Sequence, residues 1–466
     1  SDDSDDSDDS DDSDDSDDSD DSATCMGYLA SYGESMSGMT DGTITLSDCT
    51  AGFSTLNDYC LASCDDTLGS EYTMCIDAEV PATGWTDAEI AAVCEMMTTP
   101  APTVPSSYEF ESRFNAGESS VSYSGQTTRN MLISEIKSVI GDGGTTAAAL
   151  TSLFNNDDAT ATYDEGTVAF HDVSTKDLSG KISSDNVVGY DLTPTELINA
   201  WFVAAEESGT KYTADGVSID QMVGKSLLGM VSYYQATSVY FNKVLELGED
   251  NTNPSDDGSP YTDMEHHYDE AFGYFGASIG YQGQFSQERQ SSGTATTAEE
   301  YTTLVNFDWA KYASKRSDVS GCSQSTGLDD ALIEAFTMGR HLIATEAVAE
   351  VEDQINIVLE KWEHVVVANI IHYAREVKEI MADQEADFNC SADSDCSKYW
   401  SEMAPFAISL QFNDDSMLTT SEFTELQSVI GMVPPTTNTA DDQATFDTII
   451  TWLIDKYMLD ADCANW

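Results

Sequence analysis

Basic residues are what this 466-residue chain has least of: 18 Lys and Arg stand against 85 Asp and Glu, for a net charge of −67. Such a surface repels phosphate backbones and anionic bilayers. Nucleic acid is thereby excluded as a partner, and a membrane can be met only through a lipid anchor. No stretch of 18 apolar residues occurs, which excludes a transmembrane helix. A phosphate-binding loop, Gly-x-Ser-x-Gly, a dinucleotide fingerprint and His-Glu-x-x-His are also missing, so nucleotide, esterase and zincin chemistry have no motif to rest on. A hydrolase of another kind needs a nucleophile or metal-bound water beside a general base, and no spacing here specifies one. Cys-x-x-Cys is absent, and with it the paired signature of a structural zinc site.

What is present begins with residues 1–22, seven Ser-Asp-Asp repeats and a serine that hold 14 Asp. With no apolar residue to bury, this segment reads as a disordered acidic tether with weak affinity for calcium. Without it the chain still carries 71 acidic against 18 basic residues, so the whole surface favours cations and fits salty surroundings that screen self-repulsion. Ten cysteines point to an oxidising compartment: secreted, cell-surface or periplasmic. Export implies a signal segment already removed, and a lipidated cysteine at its end would supply the anchor. Six cysteines crowd residues 25–94, suggesting a small helical domain over 23–97 stapled by three bridges. Among the other four, Cys390 and Cys396 bracket a short loop and could pair locally, which would leave Cys322 to tie Cys463.

A Pro/Thr-rich linker over residues 98–107 separates that domain from a helical-bundle domain over 108–466. Thr193-Pro194-Thr195-Glu196 joins a capping threonine, an N-terminal proline and a returning glutamate, which predicts a helix start; Thr419 with Glu422 predicts another. Residues 217–247 and 329–385 contain no proline and carry helical periodicity long enough for bundles. The stretch from Leu359 to Ile380 is apolar nearly all round and predicts a helix buried among others.

Two segments carry chemistry. In Met264–Gly276 a helix would align Met264, Tyr268, Ala271, Phe272 and Phe275 on a core-facing stripe. Glu265 and His267 would flank it, Asp269 would lie just outside the flank, and His266 and Glu270 would sit one turn apart on the far side. Imidazoles and carboxylates at that spacing suit iron, zinc or copper. The buried stretch places Glu363, His364, His372 and Glu376 among apolar residues, where an ionisable group needs a partner or a metal. A structural His372–Glu376 hydrogen bond is the simpler use of the last two. Acidic turns at Asp250–Gly258, Asp393–Asp395 and Asn413–Asp415 are weak calcium candidates without the EF-hand spacing.

Taken in order, Val121–Thr127, Lys225–Tyr234, Glu265–Tyr274, Trp362-Glu363 and His372-Tyr373 resemble a family of secreted bacterial proteins of unknown function that is similar to the imelysins, over roughly residues 106–435. The resemblance implies an all-α fold of two helical bundles, lipoprotein status and a context of iron uptake. The Gly-x-His-x-x-Glu motif of imelysins has its nearest equivalent at His267-Tyr268-Asp269-Glu270, with Glu265 where the glycine would stand. These readings lead to the expectation of a surface or periplasmic protein binding iron or another divalent or trivalent cation. Its ligands would be Glu265, His266, His267, Asp269 and Glu270 opposed by Glu363, His372 and Glu376. The alternative is a structural or adhesive surface protein, partnered by other surface proteins, in which the same residues lock helices together.

Overall fold

The structure is a computed structural model. It describes residues 105–163, 167–248, 250–385 and 387–466, all within the unit that spans Val104–Trp466. The tether, the cysteine-rich domain with its three expected bridges, and most of the linker lie outside the described residues.

The described chain is all-α, apart from a two-stranded antiparallel hairpin that pairs Thr162 with Ala169 and Tyr163 with Val168. Helix α1 (Ser124–Asp142) leads to α2 (Ala147–Asn155) and, past the hairpin, to α3 (Pro194–Ser208). Thr193 caps α3 with the full reciprocal box to Glu196, as its sequence predicts. Next, α4 (Ile219–Leu227) runs without a break through two wider π-helical turns, Leu228–Tyr233 and Gln235–Tyr240, into α5 (Phe241–Leu247). The periodicity of residues 217–247 shows the rod but not the widening. Wide turns leave carbonyls without their usual intrahelical donors, and here outside donors reach two of them: Trp309 Nε1 bonds the Leu228 oxygen at 3.1 Å and Ser183 N the Met230 oxygen at 2.9 Å. Gly229 lets this rod lie against Ser409, where a Cβ would collide.

Short helical turns at Phe170–Val173 and Ser286–Arg289 aside, the remaining α-helices are α6 (Asp263–Phe275), α7 (Ala298–Thr303), α8 (Asp308–Arg316), α9 (Leu328–Ala344), α10 (Val351–Ala382), α11 (Ser394–Ser409), α12 (Thr420–Ile430) and α13 (Ala440–Lys456). The proline-free run 329–385 is interrupted at residues 345–350, because Glu346 takes a left-handed φ of 63° and reaches Arg113 at 2.7 Å. Helix α10 is the buried one expected, packed by α8, α9, α11 and α13, with Trp362, Val365, Val366, Ile370 and Ile371 fully enclosed. The capping box at Thr419 starts α12. Both expectations for the later cysteines hold: Cys390 pairs locally with Cys396, and Cys322 pairs with Cys463 across 141 residues. No described helix is long and apolar enough to cross a membrane.

Candidate functional site

Helix α6 begins with a capping box that the sequence reading passed over. Thr262 Oγ accepts from Glu265 N, and Glu265 Oε2 accepts from Thr262 N at 2.8 Å. The stripe Met264, Tyr268, Ala271, Phe272 and Phe275 is buried as the periodicity predicts. Gly273 lets the helix approach α1, since a Cβ there would stand 2.6 Å from that of Tyr123.

Glu265 and Asp269 depart from expectation. Placed at the border of the stripe by helical geometry, they are fully buried, at 0% exposure, because α9 delivers Arg340 between them, itself at 0%. Arg340 Nη1 donates to Glu265 Oε1 at 3.1 Å, Nε to Asp269 Oδ1 at 2.8 Å and Nη2 to Ser120 Oγ at 2.7 Å. Its guanidinium also lies 4.8 Å over the Phe110 ring. Asp269 further accepts from Tyr108 OH at 3.0 Å and from Ser122 N at 3.1 Å, so it ties down both ends of the chain that leads into α1. Burial pushes the Asp269 carboxyl up to about 6, against the pull of Arg340 and the hydrogen-bond donors. Burial also works against the Arg340 charge, but Asp269 and Glu265 outweigh it and hold the guanidinium above its ordinary range. The pair does not fit a metal centre, since a fixed cation already stands between the two carboxylates.

His266, His267 and Glu270 face the other way, half-buried. His267 Nδ1 donates to Glu270 Oε2 at 3.1 Å, and His266 Nε2 stands 4.0 Å from the same oxygen. Gln126 Nε2 donates to Glu270 Oε1 at 2.9 Å. Burial works to raise the Glu270 carboxyl, but His267, His266, Tyr240 and Gln126 together bring it below its ordinary value. The Tyr261 ring stacks on His266 at 4.6 Å, and burial lowers that imidazole's affinity for a proton.

The α10 residues occupy separate places. Glu363 accepts from Tyr457 OH at 2.6 Å, Ser416 Oγ at 2.8 Å, Met417 N at 3.1 Å and Asn413 Nδ2 at 2.7 Å, and burial raises its carboxyl. His372 does not pair with Glu376; its Nδ1 donates to the Trp466 carbonyl at 3.1 Å, while Glu376 meets Arg375 at 3.3 Å. Burial, with Arg316 nearby, pushes His372 down to about 4. The acidic turns have local duties as well. Asp393 caps α11 through the amides of Asp395 and Cys396, and Asn413 serves Glu363. Among the described residues no three of His, Cys, Asp and Glu come together so as to hold a metal ion, and the eight anticipated ligands are divided among separate partners: Arg340 for Glu265 and Asp269, one another for His266, His267 and Glu270, the 413–457 region for Glu363, Trp466 for His372 and Arg375 for Glu376.

Sequence reasoning missed Arg340, although a signal was present. It sits on the apolar stripe of α9 with Leu332, Phe336 and Ile343, and a cation at such a position needs buried anions. It also missed a second buried network, in which Lys225, fully enclosed, donates to Gln221 Oε1 at 2.6 Å and meets Glu402 at 3.3 Å. Lys225 and burial together push the neighbouring Lys137 ammonium down to about 8.

A family model described as a domain of unknown function (DUF4856) matches residues 105–189 and 195–430, well over half of the chain. No curated protein and no solved structure matches it. The chain belongs to the DUF4856 family.

Proposed function

We propose that this DUF4856 protein is a non-enzymatic, imelysin-like surface protein of an oxidising compartment, in which the Glu265–Glu270 segment locks the bundle and braces the chain ahead of α1. One observation carries the reading: Arg340, at zero exposure, lies within 3.1 Å of both Glu265 and Asp269 and would repel any cation brought to them. The two disulfides among the described residues support the compartment. Calorimetric titration of the full chain with ferric, ferrous, zinc and copper ions should show no saturable site in the folded part. His267→Ala should lower the melting temperature without altering any metal response.

A second reading keeps cation binding in a context of iron acquisition. It rests on His266 and His267, which both face one Glu270 oxygen from the half-exposed side of α6. Under it, a saturable site disappears in His267→Ala and survives in His372→Ala, because His372 belongs to another network. That pattern would displace the structural reading.

A further inference from the structure

Basic side chains are scarce in this chain, yet four of them meet beside Glu270. The Tyr240 ring, on the second wide turn, has the Lys181 ammonium 5.1 Å and the Lys243 ammonium 4.9 Å from its centroid. Tyr274, on α6, lies 5.9 Å from Tyr240, and the Arg129 guanidinium from α1 stands 5.9 Å over the Tyr274 ring. Lys176 completes the group. Acidic residues outnumber basic ones 85 to 18, but none of these four is in an ion pair with a described residue.

The group also lacks acceptors. Tyr274, at 0% exposure, has none for its hydroxyl proton among the described residues. Arg129, at 4%, donates its Nε to the Asp177 carbonyl at 2.6 Å, and no described carboxylate or carbonyl meets its two Nη atoms. Lys181 reaches only the Tyr240 hydroxyl, at 2.8 Å. The nearby carboxylates are engaged: Glu270 by His267 and Gln126, and Asp177 by Ser179 Oγ at 2.9 Å and the Gly180 amide at 2.6 Å. Burial, with Arg129, Lys243 and Lys176 adding to it, holds the Lys181 ammonium below its ordinary range. Enclosed donors without acceptors and gathered cations without anions are short of one and the same thing, a negative charge spread over several oxygens.

We propose that these side chains form a binding site for a small polyvalent oxyanion, phosphate or a polycarboxylate, with Arg129 and Tyr274 at its floor and Lys181 and Lys243 at its mouth. Lys181 and Lys243 are half-buried and Lys176 is exposed, so solvent reaches the mouth. The net charge of −67 repels extended polyanions, but at physiological ionic strength salt confines each charge's reach to about 8 Å, which leaves a small anion able to enter. The inference goes beyond the reading of α6 as a structural lock and does not require it.

The full chain is titrated calorimetrically at 0.15 M salt, about physiological ionic strength, with inorganic phosphate and separately with citrate. The titrations are repeated on Tyr274→Phe, Lys243→Met and Lys211→Met. The Tyr274 hydroxyl donates to no described residue, and Lys243 and Lys211 make no ion pair, so all three variants should keep the wild-type melting temperature. One saturable event is expected in the wild type, weakened about tenfold by Tyr274→Phe, because a hydrogen bond to a charged group carries about that factor. Lys243→Met should also weaken it. Lys211, over the Tyr212 ring, lies outside the group, and its loss should leave binding unchanged. Saturation by phosphate alone assigns a phosphoryl ligand, by citrate alone a polycarboxylate, and by both the chemistry they share; each supports the site. No saturation by either probe, undiminished binding in Tyr274→Phe, or equal weakening by Lys243→Met and Lys211→Met would overturn the proposal.

Discussion

Arg340→Met removes the guanidinium while keeping most of the side-chain volume. Three contacts vanish with it, to Asp269 at 2.8 Å, Glu265 at 3.1 Å and Ser120 at 2.7 Å. Glu265 keeps the Thr262 amide and a distant Arg113 at 3.5 Å; Asp269 keeps Tyr108 and the Ser122 amide. Two carboxylates at zero exposure then lose the cation they share, and breaking a buried pair in this way costs about 3–5 kcal/mol. At about 2–4 °C per kcal/mol, the melting temperature should fall by roughly 6–20 °C. The assay is thermal unfolding of the full chain followed by circular dichroism at pH 7.5 and pH 5. Burial already raises the Asp269 carboxyl, and without the guanidinium it takes up a proton more readily, so the deficit should shrink at pH 5. A fall of less than about 2 °C would show that the pair does not hold the fold.

His364 offers a pH test. Burial, with Lys361 adding to it, pushes its imidazole down to about 4. The folded protein leaves this group neutral where the unfolded chain, titrating near 6.5, takes a proton. Its contribution is therefore fully present above pH 6.5 and lost as the pH falls towards 4, with a slope of about 1.4 kcal/mol per pH unit. Urea midpoints at pH 4.5, 5.5 and 6.5 should show that slope reduced in His364→Phe; identical pH profiles would refute the assignment. For the disulfides, the Cys322–Cys463 bridge closes 141 residues and Cys390–Cys396 only 6. Chain entropy then gives about 5 and about 2 kcal/mol, respectively. Double serine variants compared by denaturant unfolding should rank in that order, and equal losses would count against a mainly entropic effect.

The features legible in the chain were those whose cause is local. A capping threonine and the glutamate three residues on are sufficient to start α3 and α12, and a 3.6-residue period is sufficient to turn Tyr268, Phe272 and Phe275 inward. The burial of the middle of α10 followed from a stretch, Leu359 to Ile380, that is apolar nearly all round. The same period misplaced Glu265 and Asp269, because it reports how far a residue points from the core and not what waits there. Their partner Arg340 stands 75 and 71 positions away on another helix, and only its arrival allows two carboxylates to be fully enclosed. Glu363 and His372 drew partners from residues 413–457 and from Trp466 in the same way. Tertiary contact also set the backbone at the wide turns of 228–240, where Ser183 and Trp309 supply donors, and at Glu346, which meets Arg113. A buried charge is stable only beside its counter-charge, and helix packing alone determined which distant charges would meet.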